Sequence, residues 1–365
     1  MRISELKIRV VQPDDFKFMW RKDLPPVSMT MTVFELETDE GITGYSTSWL
    51  PAAPHEIAQS ADHFLKPMIL GQDPLNREKL WHDMMGMARF LIPPKAASQI
   101  DFALWDIAGK MANLPVYKLL GAYRDKVPVY DTMQSQDTAQ EVADLILAAK
   151  QRGVPAAKLR AKPDPKMDIE AARLAREAVG PDYVLMFDAT NSYDWEDAIK
   201  VGRALEKLDF FWYEDPMPDW DIAGFRQLCQ SLDIPVLMGE AMMRGPQQLG
   251  SILVEGAADS VRGVGDLIGG ITGMRKIGAT AEMLGRRMEP HAYGSTIVQA
   301  AHLHYMLSCR NCTYFEMPYP RHGLDFGMKD IVHIDENGWV HAPTAPGLGY
   351  EIDWDVIDNA TIARY

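Results

Sequence analysis

The spacing of hydrophobic and polar positions divides the chain into two parts with different rhythms. In the first 125 residues, three segments alternate as β-strands do, and segments with helical spacing follow them. The predicted strands are Ile3–Val11, Met29–Thr38 and Ile42–Ser48, and the predicted helices are His55–Leu70, Asn76–Arg89 and Ala96–Ala112. This order predicts a separate α+β module, residues 1–125, in which a three-stranded sheet precedes a helical bundle.

From Val127 onward, short apolar runs alternate regularly with helical segments. The predicted strands are Val127–Asp131, Ala156–Arg160, Val184–Phe187, Phe210–Tyr213, Val236–Met238, Ala258–Val261, Arg287–Pro290 and Cys312–Glu316. Helices are predicted at Ala139–Arg152, Met167–Val179, Glu196–Leu208 and Ile222–Leu232, and near Gly270–Leu284 and Ile297–Leu307. Eight strands with about seven helices predict an α/β fold, a modified TIM barrel of the (β/α)7β type over residues 126–317. The tail, residues 318–365, has no further βα unit and is predicted to return to the first module.

Three acidic residues follow three successive barrel strands at equal distances along the chain. Asp188, Glu214 and Glu240 stand in the segments FDATN, WYEDP and GEAM, and 26 residues separate each acid from the next. A strand, a helix and two loops occupy about 25–30 residues in such a barrel, so the acids are predicted at the C-terminal strand ends, where TIM barrels carry their chemistry. Converging carboxylates repel one another unless a hard cation lies between them, and oxygen ligands suit Mg²⁺. The spacing therefore favours a magnesium site over scattered surface acids.

The composition narrows the choice of partners and compartment. The net charge of −14 argues against nucleic acid as a general partner. No apolar run approaches the length of a membrane span, and the N-terminal MRISELKIRVVQ is too interrupted by charges for a signal peptide. The three cysteines are too few for a disulfide framework, which suits a reducing cytoplasm. Cys309 and Cys312 form a single C-x-x-C, which we interpret as ordinary residues at a helix-to-strand junction rather than a metal or redox site.

Chemistry beside a carboxylate also needs groups that carry protons, and the candidates lie at the ends of three barrel strands. Lys158 and Arg160 are two residues apart in the second strand and share a face, so an inward orientation would set both cations beside the acids. The alternative is an outward pair in solvent. His291 follows the seventh strand, within MEPHAYGS, and Glu316 is predicted to end the eighth, within YFEMP. Their position at the reactive rim favours a catalytic role over a structural one.

Taken together, these motifs resemble the enolase superfamily, and its mandelate racemase subgroup most of all. The resemblance covers nearly the whole chain and rests on FDATN, YEDP, GEAM, Gly153–Arg160, the GGIT of Gly269–Thr272, His291 and the FEMP around Glu316. It implies a capping domain that the C-terminal tail completes, a homo-oligomer, and one Mg²⁺ that is held by the three acids and binds the substrate carboxylate. It also implies an enediolate intermediate to which Glu316 hydrogen-bonds. Asn191 and Asp215 would lie around the metal ligands, and Asn191 is assigned to substrate binding.

Two positions depart from the subgroup's pattern. The subgroup usually has Lys-x-Lys, whose second lysine is a base on one face of the substrate, but this chain has Arg160 there. A guanidinium stays protonated in proteins and is a poor base. The subgroup's catalytic histidine usually has an aspartate partner at the end of the sixth strand, where this chain has Val264, and Asp266 lies two residues further on.

These departures favour a dehydratase. A racemase needs bases on both faces of the substrate, which here would require Lys158. In a dehydration, His291 can both remove the α-proton and help the β-hydroxyl leave, or share the two steps with Lys158, while Arg160 binds a substrate hydroxyl or carboxylate. We therefore expect a sugar acid to lose water and give a 2-keto-3-deoxy acid. The alternatives are a racemase, epimerase or cycloisomerase of the same superfamily, a Schiff-base aldolase using Lys158, and a non-catalytic ligand-binding member.

Substrate specificity is expected to come from loops of the first module. The segment Phe16–Lys22 is aromatic and cationic and is followed by Pro25-Pro26, and it is predicted either as a lid over the barrel mouth or as an ordinary solvated loop. If Arg21 or Lys22 faces the site, a second substrate carboxylate is expected. The expected partner is a small-molecule carboxylate, not nucleic acid or a membrane.

Overall fold

The computed structural model describes residues 1–13, 17–19, 24–48, 53–240, 245–321 and 323–365. The elements of the first module are β1 (Ile3–Val11), β2 (Lys17–Phe18), β3 (Val27–Ser28), β4 (Met31–Thr38), β5 (Thr43–Ser48), α1 (Pro54–Ser60), a π-helical turn (Ala61–Leu65), α2 (Lys66–Ile69), α3 (Arg77–Ala88), α4 (Pro94–Met111) and α5 (Val116–Leu119). α4 begins at a proline, which suits the first helical position, and nearly all of its residues are buried. It packs against β5 of its own module and against the barrel helices, so it forms the main connection between the two parts.

The barrel follows the predicted alternation. Its elements are β6 (Lys126–Met133), α6 (Ala139–Gln151), β7 (Ala156–Arg160), α7 (Pro165–Val179), β8 (Val184–Asp188), α8 (Trp195–Lys207), β9 (Tyr213–Glu214), α9 (Ile222–Ser231), β10 (Val236–Met238), α10 (Pro246–Val254), β11 (Ser260–Gly263), α11 (Gly265–Ile268), α12 (Gly270–Met283), β12 (Arg287–Pro290), α13 (Thr296–Ser308) and β13 (Phe315–Tyr319). Its strands pair in parallel in the order β12-β11-β10-β9-β8-β7-β6-β13. The predicted α/β barrel with a separate N-terminal sheet is confirmed.

The C-terminal tail returns to both earlier parts of the chain. Its elements are β14 (Trp339–His341), α14 (Trp354–Asn359) and β15 (Thr361–Arg364). β14 adds an antiparallel strand beside β6, and β15 joins the N-terminal sheet in the order β15-β1-β4-β5. The division into residues 1–125 and 126–317, with 318–365 assigned to the first part, stays our proposal. Within the described residues, no helix combines the length and the apolar character that crossing a membrane requires.

Two barrel strands begin three residues later than the sequence predicts. β9 begins at Tyr213, and the N–H of Phe211, just before it, is bonded to Leu185 O of β8. β13 begins at Phe315 rather than Cys312, because the N–H of Thr313 is bound by the side chain of Glu289. Glu316 is therefore the second residue of its strand and not the last one.

The GGIT segment joins the barrel to the first module. Trp81 donates its indole N–H to Gly269 O at 2.7 Å, and Thr272 donates its N–H and hydroxyl to Asp101. Gly269 and Gly270 have φ values of 88° and 70°, and a Cβ at either would lie 2.3 Å from Trp81 or Asp101. Glycine is needed here for both the left-handed backbone and the close approach.

Candidate active site

The three evenly spaced acids meet at the C-terminal ends of neighbouring strands. In the ladder, Arg160 lies opposite Asp188, and Asp188 opposite Glu214, so parallel register brings their side chains to one level. Glu240 lies two residues beyond the end of β10. One oxygen from each of Asp188, Glu214 and Glu240 lies within 4.8 Å of the others. The structure therefore brings the three predicted ligands together.

The donor set fits a hard divalent cation. All three groups are carboxylates, and Asp188 and Glu214 are fully buried. Asp188 Oδ2 and Glu214 Oε1 accept no hydrogen bond from the described residues, although Lys158, Arg160 and Arg262 place charged nitrogens 2.9–3.4 Å away. Buried carboxylate oxygens that are held near charges but not saturated by hydrogen bonds can accept a metal ion.

Asp215 positions the third carboxylate. Its side chain accepts hydrogen bonds from the N–H of Gly239 at 2.9 Å and from that of Glu240 at 3.0 Å. Burial, assisted by the neighbouring Glu240 and Glu214, raises the pKa of Asp215 well above its usual value. Asp215 thus holds in place the backbone that carries the side chain of Glu240.

Asn191 connects the loops after β8 and β9. Its side-chain amide donates to Met217 O at 2.8 Å, and its backbone N–H donates to Asp215 O at 2.7 Å. The residue has a positive φ of 56°, a conformation that asparagine tolerates better than most residues. These contacts hold the loop beside the acids, and the role of Asn191 in substrate binding stays a prediction.

Lys158 lies directly among the acids. Its Nζ is 2.9 Å from Glu214 Oε2, 3.4 Å from Asp188 Oδ2 and 3.1 Å from Glu316 Oε1. Burial alone would lower the pKa of Lys158, but Glu214 and Glu316 outweigh it and raise the pKa well above its usual value. The surrounding carboxylates therefore favour the ammonium form of Lys158.

Arg160 lies on the same strand, nearer the rim. Its NH2 is 3.3 Å from Asp188 Oδ2, so both cations of β7 turn towards the acids, as an inward orientation requires. Burial opposes the charge of Arg160, but Asp188 and Glu240 outweigh it and raise its pKa.

Arg262 is a further cation that sequence reasoning missed. It lies on β11, is fully buried, and its Nε is 2.9 Å from Glu214 Oε1. Its NH2 is 2.6 Å from both Glu316 Oε2 and the hydroxyl of Tyr130. The available signal was an arginine inside the short strand Ser-Val-Arg-Gly, since a charge at such a position needs partners inside the barrel.

His291, which follows β12, and Glu316, on β13, complete the set of charged side chains around the three acids. His291 Nε2 is 3.3 Å from Glu240 Oε1 and 3.9 Å from Glu316 Oε2. Burial would raise the pKa of Glu240, but His291, Lys158 and Arg160 together outweigh it and lower the pKa to about 2. Burial would likewise raise the pKa of Glu316, but Arg262, Lys158 and His291 together lower it. Glu316 is thus an ionised carboxylate that lies between Lys158 and His291.

The first module reaches this side of the site through α4. Val264 precedes α11 and is buried, and Asp266 lies within that short helix, where Gln99 donates to its Oδ1 at 2.8 Å. Burial raises the pKa of Asp266 to about 6, and the charges of Lys95 and His291 oppose the rise. The backbone of His291 is tied to the same region, because its N–H donates to Gly263 O at 3.0 Å. Asp266 therefore supplies an acid near His291, although it lies in α11 and not at the end of β11.

The predicted lid lies largely outside the described residues. Of Phe16–Lys22, only residues 17–19 are described, and Lys17 and Phe18 pair with β3. Arg21 and Lys22, the candidates for binding a second carboxylate, lie outside the described residues.

Comparison with known proteins extends over almost the whole chain. Residues 141–356 match the family described as Enolase C-terminal domain-like, and residues 25–121 match the Mandelate racemase / muconate lactonizing enzyme, N-terminal domain. Arabinonate dehydratase from Saccharolobus solfataricus is 31% identical over 340 residues, which are 91% of this chain and 90% of that protein. N-succinyl-L-Arg/Lys racemase from Bacillus cereus is 30% identical over 349 residues, 92% of this chain and 91% of that protein.

A solved structure shows the same architecture. The crystal structure of D-glucarate dehydratase from Agrobacterium tumefaciens, complexed with magnesium, matches with a TM-score of 0.90 and 31% identity, covering 100% of both chains. These similar proteins include both dehydratases and a racemase, so the choice of reaction depends on the residues of the site.

Proposed function

Since the chain belongs to the mandelate racemase subgroup of the enolase superfamily, we propose that it dehydrates a sugar acid to a 2-keto-3-deoxy acid. Membership makes it an enzyme of the lyase or isomerase type. The choice of dehydration rests on the difference between Lys158 and His291, the two side chains on either side of Glu316. Lys158, 3.1 Å from Glu316, has its ammonium form stabilised by the surrounding acids, whereas His291, 3.9 Å from Glu316, carries an imidazole, the side chain most often used for general acid–base catalysis.

Asp188, Glu214 and Glu240 would hold one Mg²⁺, which their oxygen donors fit. When bound, the ion supplies positive charge that stabilises the negative charge developing on the substrate carboxylate. Asp215 supports this arrangement by holding the backbone of Glu240.

His291 would carry the proton. Its Nε2 removes the α-proton, and the electrons of that C–H bond pass into the enediolate form of the carboxylate. The imidazolium then donates the proton to the β-hydroxyl, which leaves as water when the C–O bond breaks. The resulting enol tautomerises to the 2-keto-3-deoxy acid. General acid–base steps of this kind contribute about 10²–10⁴-fold.

The cations on β7 would bind rather than remove protons. Lys158 is close to three carboxylates and would donate hydrogen bonds to the substrate carboxylate or enediolate. Arg160 would bind a substrate hydroxyl or carboxylate nearer the rim, because a guanidinium cannot serve as the base. Glu316, held by Arg262, would orient both Lys158 and the reacting carboxylate.

Asp266 would replace the missing strand-end acid. Val264 cannot hydrogen-bond through its side chain, whereas Asp266 is a buried carboxyl group near enough to His291 for their charges to interact. Gln99 fixes its position from α4 of the first module. Asp266 would thus be a positioning residue for His291.

The proposal is tested by incubating the magnesium-loaded protein with a library of sugar acids and detecting 2-keto products with semicarbazide. We expect a keto product from at least one acid, and its loss on chelation of the metal. Reactions in D₂O provide the contrast, because exchange of the α-proton without any keto product would instead show epimerisation. Turnover that survives complete metal removal would contradict the proposal.

Racemisation or epimerisation is the second candidate. It would need Lys158 as a base on the face opposite His291, and the three nearby carboxylates oppose the loss of its proton. The same contacts disfavour a Schiff-base aldolase, which requires a neutral amine. A non-catalytic member would bind a carboxylate without turnover in the semicarbazide screen.

A further inference from the structure

Cys309 and Cys312 lie close together at the junction between α13 and β13. Cys309 follows the last residue of α13, and its Sγ is 3.4 Å from Sγ of Cys312. The sequence predicts ordinary residues here, yet the fold places the two thiols in direct contact. The pair is separate from the candidate active site and is unused by the proposed elimination.

The backbone around the two thiols is held in place by Arg124. Its NH2 donates to Cys309 O at 2.7 Å and to Cys312 O at 3.2 Å, and it also reaches Arg310 O at 3.2 Å. The same nitrogen is 3.8 Å from Cys312 Sγ. One guanidinium thus fixes the turn that carries both sulfurs, so the two thiols are held together before any reaction.

The two thiols have different surroundings. Cys309 is partly exposed and Cys312 is buried. A hydrogen bond from Cys312 lowers the pKa of Cys309 despite its burial, and Tyr305 and Arg124 add to the effect. The same hydrogen bond and burial raise the pKa of Cys312 well above its usual value. A more acidic, more accessible thiol beside a buried one is the arrangement of an attacking and a resolving cysteine.

We propose that Cys309 and Cys312 form a redox-active dithiol whose co-substrate is a low-molecular-weight disulfide of the glutathione class. Cys309 thiolate attacks one sulfur of the small disulfide, which breaks its S–S bond, forms a mixed disulfide and releases one thiolate. Cys312 then attacks Cys309 Sγ and releases the second thiolate. The protein loses two electrons and two thiol protons, and the small disulfide gains them as two thiols.

Closing the bond shortens the separation of the two sulfurs. They must approach from 3.4 Å to the covalent distance of about 2.05 Å. The product would link the end of α13 covalently to the segment that leads into β13, the strand of Glu316.

The test uses the full-length reduced protein, incubated with oxidised glutathione and then analysed by thiol titration and intact mass. We expect two of the three thiols to disappear, with loss of the mass of two hydrogen atoms and a peptide map that links Cys309 to Cys312. Three free thiols after incubation would overturn the proposal, as would a disulfide that involves Cys229.

Single variants separate the two roles. Cys312→Ser should stop at the mixed disulfide, with one glutathione on Cys309, whereas Cys309→Ser should take up glutathione at least about tenfold more slowly. Cys229→Ser is the matched control and should behave as the unaltered protein, because burial raises the pKa of Cys229 to about 12. Equal rates for Cys309→Ser and Cys312→Ser would exclude the assigned order of attack.

Discussion

The two sides of the candidate active site arrange charge in opposite ways. On the β7 side, Lys158 and Arg160 place cationic nitrogens within 3.4 Å of the acids, and both have raised pKa values. On the β12 side, His291 is 3.3 Å and 3.9 Å from the nearest carboxylates, and its neighbouring acid, Asp266, comes from a separate short helix held by the first module. Lys158 lies within ion-pair distance of three carboxylates, which stabilise its charge, whereas the β12 side carries an imidazole, the side chain most often used for general acid–base catalysis. The β7 side is therefore suited to binding and the β12 side to proton transfer.

The largest test of this contrast is His291→Asn. Asparagine can keep a hydrogen bond to Glu240 but cannot exchange a proton, so we expect kcat of the magnesium-loaded enzyme to fall by about 10³–10⁴-fold with a small change in KM. His82→Asn, at a side chain that is 65% exposed on α3, is the matched control and should leave kcat unchanged. A fall of less than tenfold for His291→Asn would indicate that a residue on the β7 side, and not His291, transfers the proton.

Separate substitutions of the two cations on β7 compare their roles within one strand. Lys158→Met removes the ammonium that contacts three carboxylates, and we expect kcat/KM to fall by about 10²–10³-fold. Arg160→Met removes a cation that contacts one acid, and we expect about a tenfold rise in KM with kcat largely kept. Steady-state kinetics on the same substrate measure both. Loss of α-proton exchange in D₂O in Lys158→Met, with exchange kept in His291→Asn, would instead identify Lys158 as the base.

Among the variants expected to lower kcat, Asp266→Asn should have the smallest effect, a fall in kcat of about tenfold with KM unchanged. Asp266 should also make the free energy of unfolding depend on pH. The folded pKa of about 6 exceeds the usual 3.8, so between these values the folded protein holds a proton that the unfolded chain releases. The free energy of unfolding of the parent protein should then decrease as pH rises through this window, by up to about 3 kcal/mol from this group.

Asp266→Asn should remove that decrease, and urea unfolding at pH values near the two ends of the window measures it. Asp182→Asn, at an exposed position, is the control and should follow the parent protein. Identical pH dependence in Asp266→Asn and the parent would show that folding does not raise the pKa of Asp266.

Much of the architecture could be predicted from local patterns. Strand β7, Ala156–Arg160, and strand β12, Arg287–Pro290, have the predicted bounds, because alternation and apolar runs are properties of consecutive residues. The start of β13 could not be predicted, because it depends on a hydrogen bond from the N–H of Thr313 to the side chain of Glu289 on another strand.

The equal spacing of Asp188, Glu214 and Glu240 was enough to predict that they meet, because parallel strands in a barrel bring equivalent positions to one rim. The departures at Arg160 and Val264 were equally visible in the sequence. Arg262 was not identified as part of the site, since its importance depends on Glu214 and Glu316 from other strands.

The sequence by itself determined the barrel rhythm, the positions of the three acids, and the absence of lysine and aspartate where the subgroup usually has them. Only the tertiary structure decided that Lys158 is held among carboxylates, that Asp266 lies near His291, and that the thiols of Cys309 and Cys312 are in contact. The physical reason is that strand periodicity follows from neighbours along the chain. Protonation and reactivity depend instead on charges and burial that segments far apart in sequence bring to the same place.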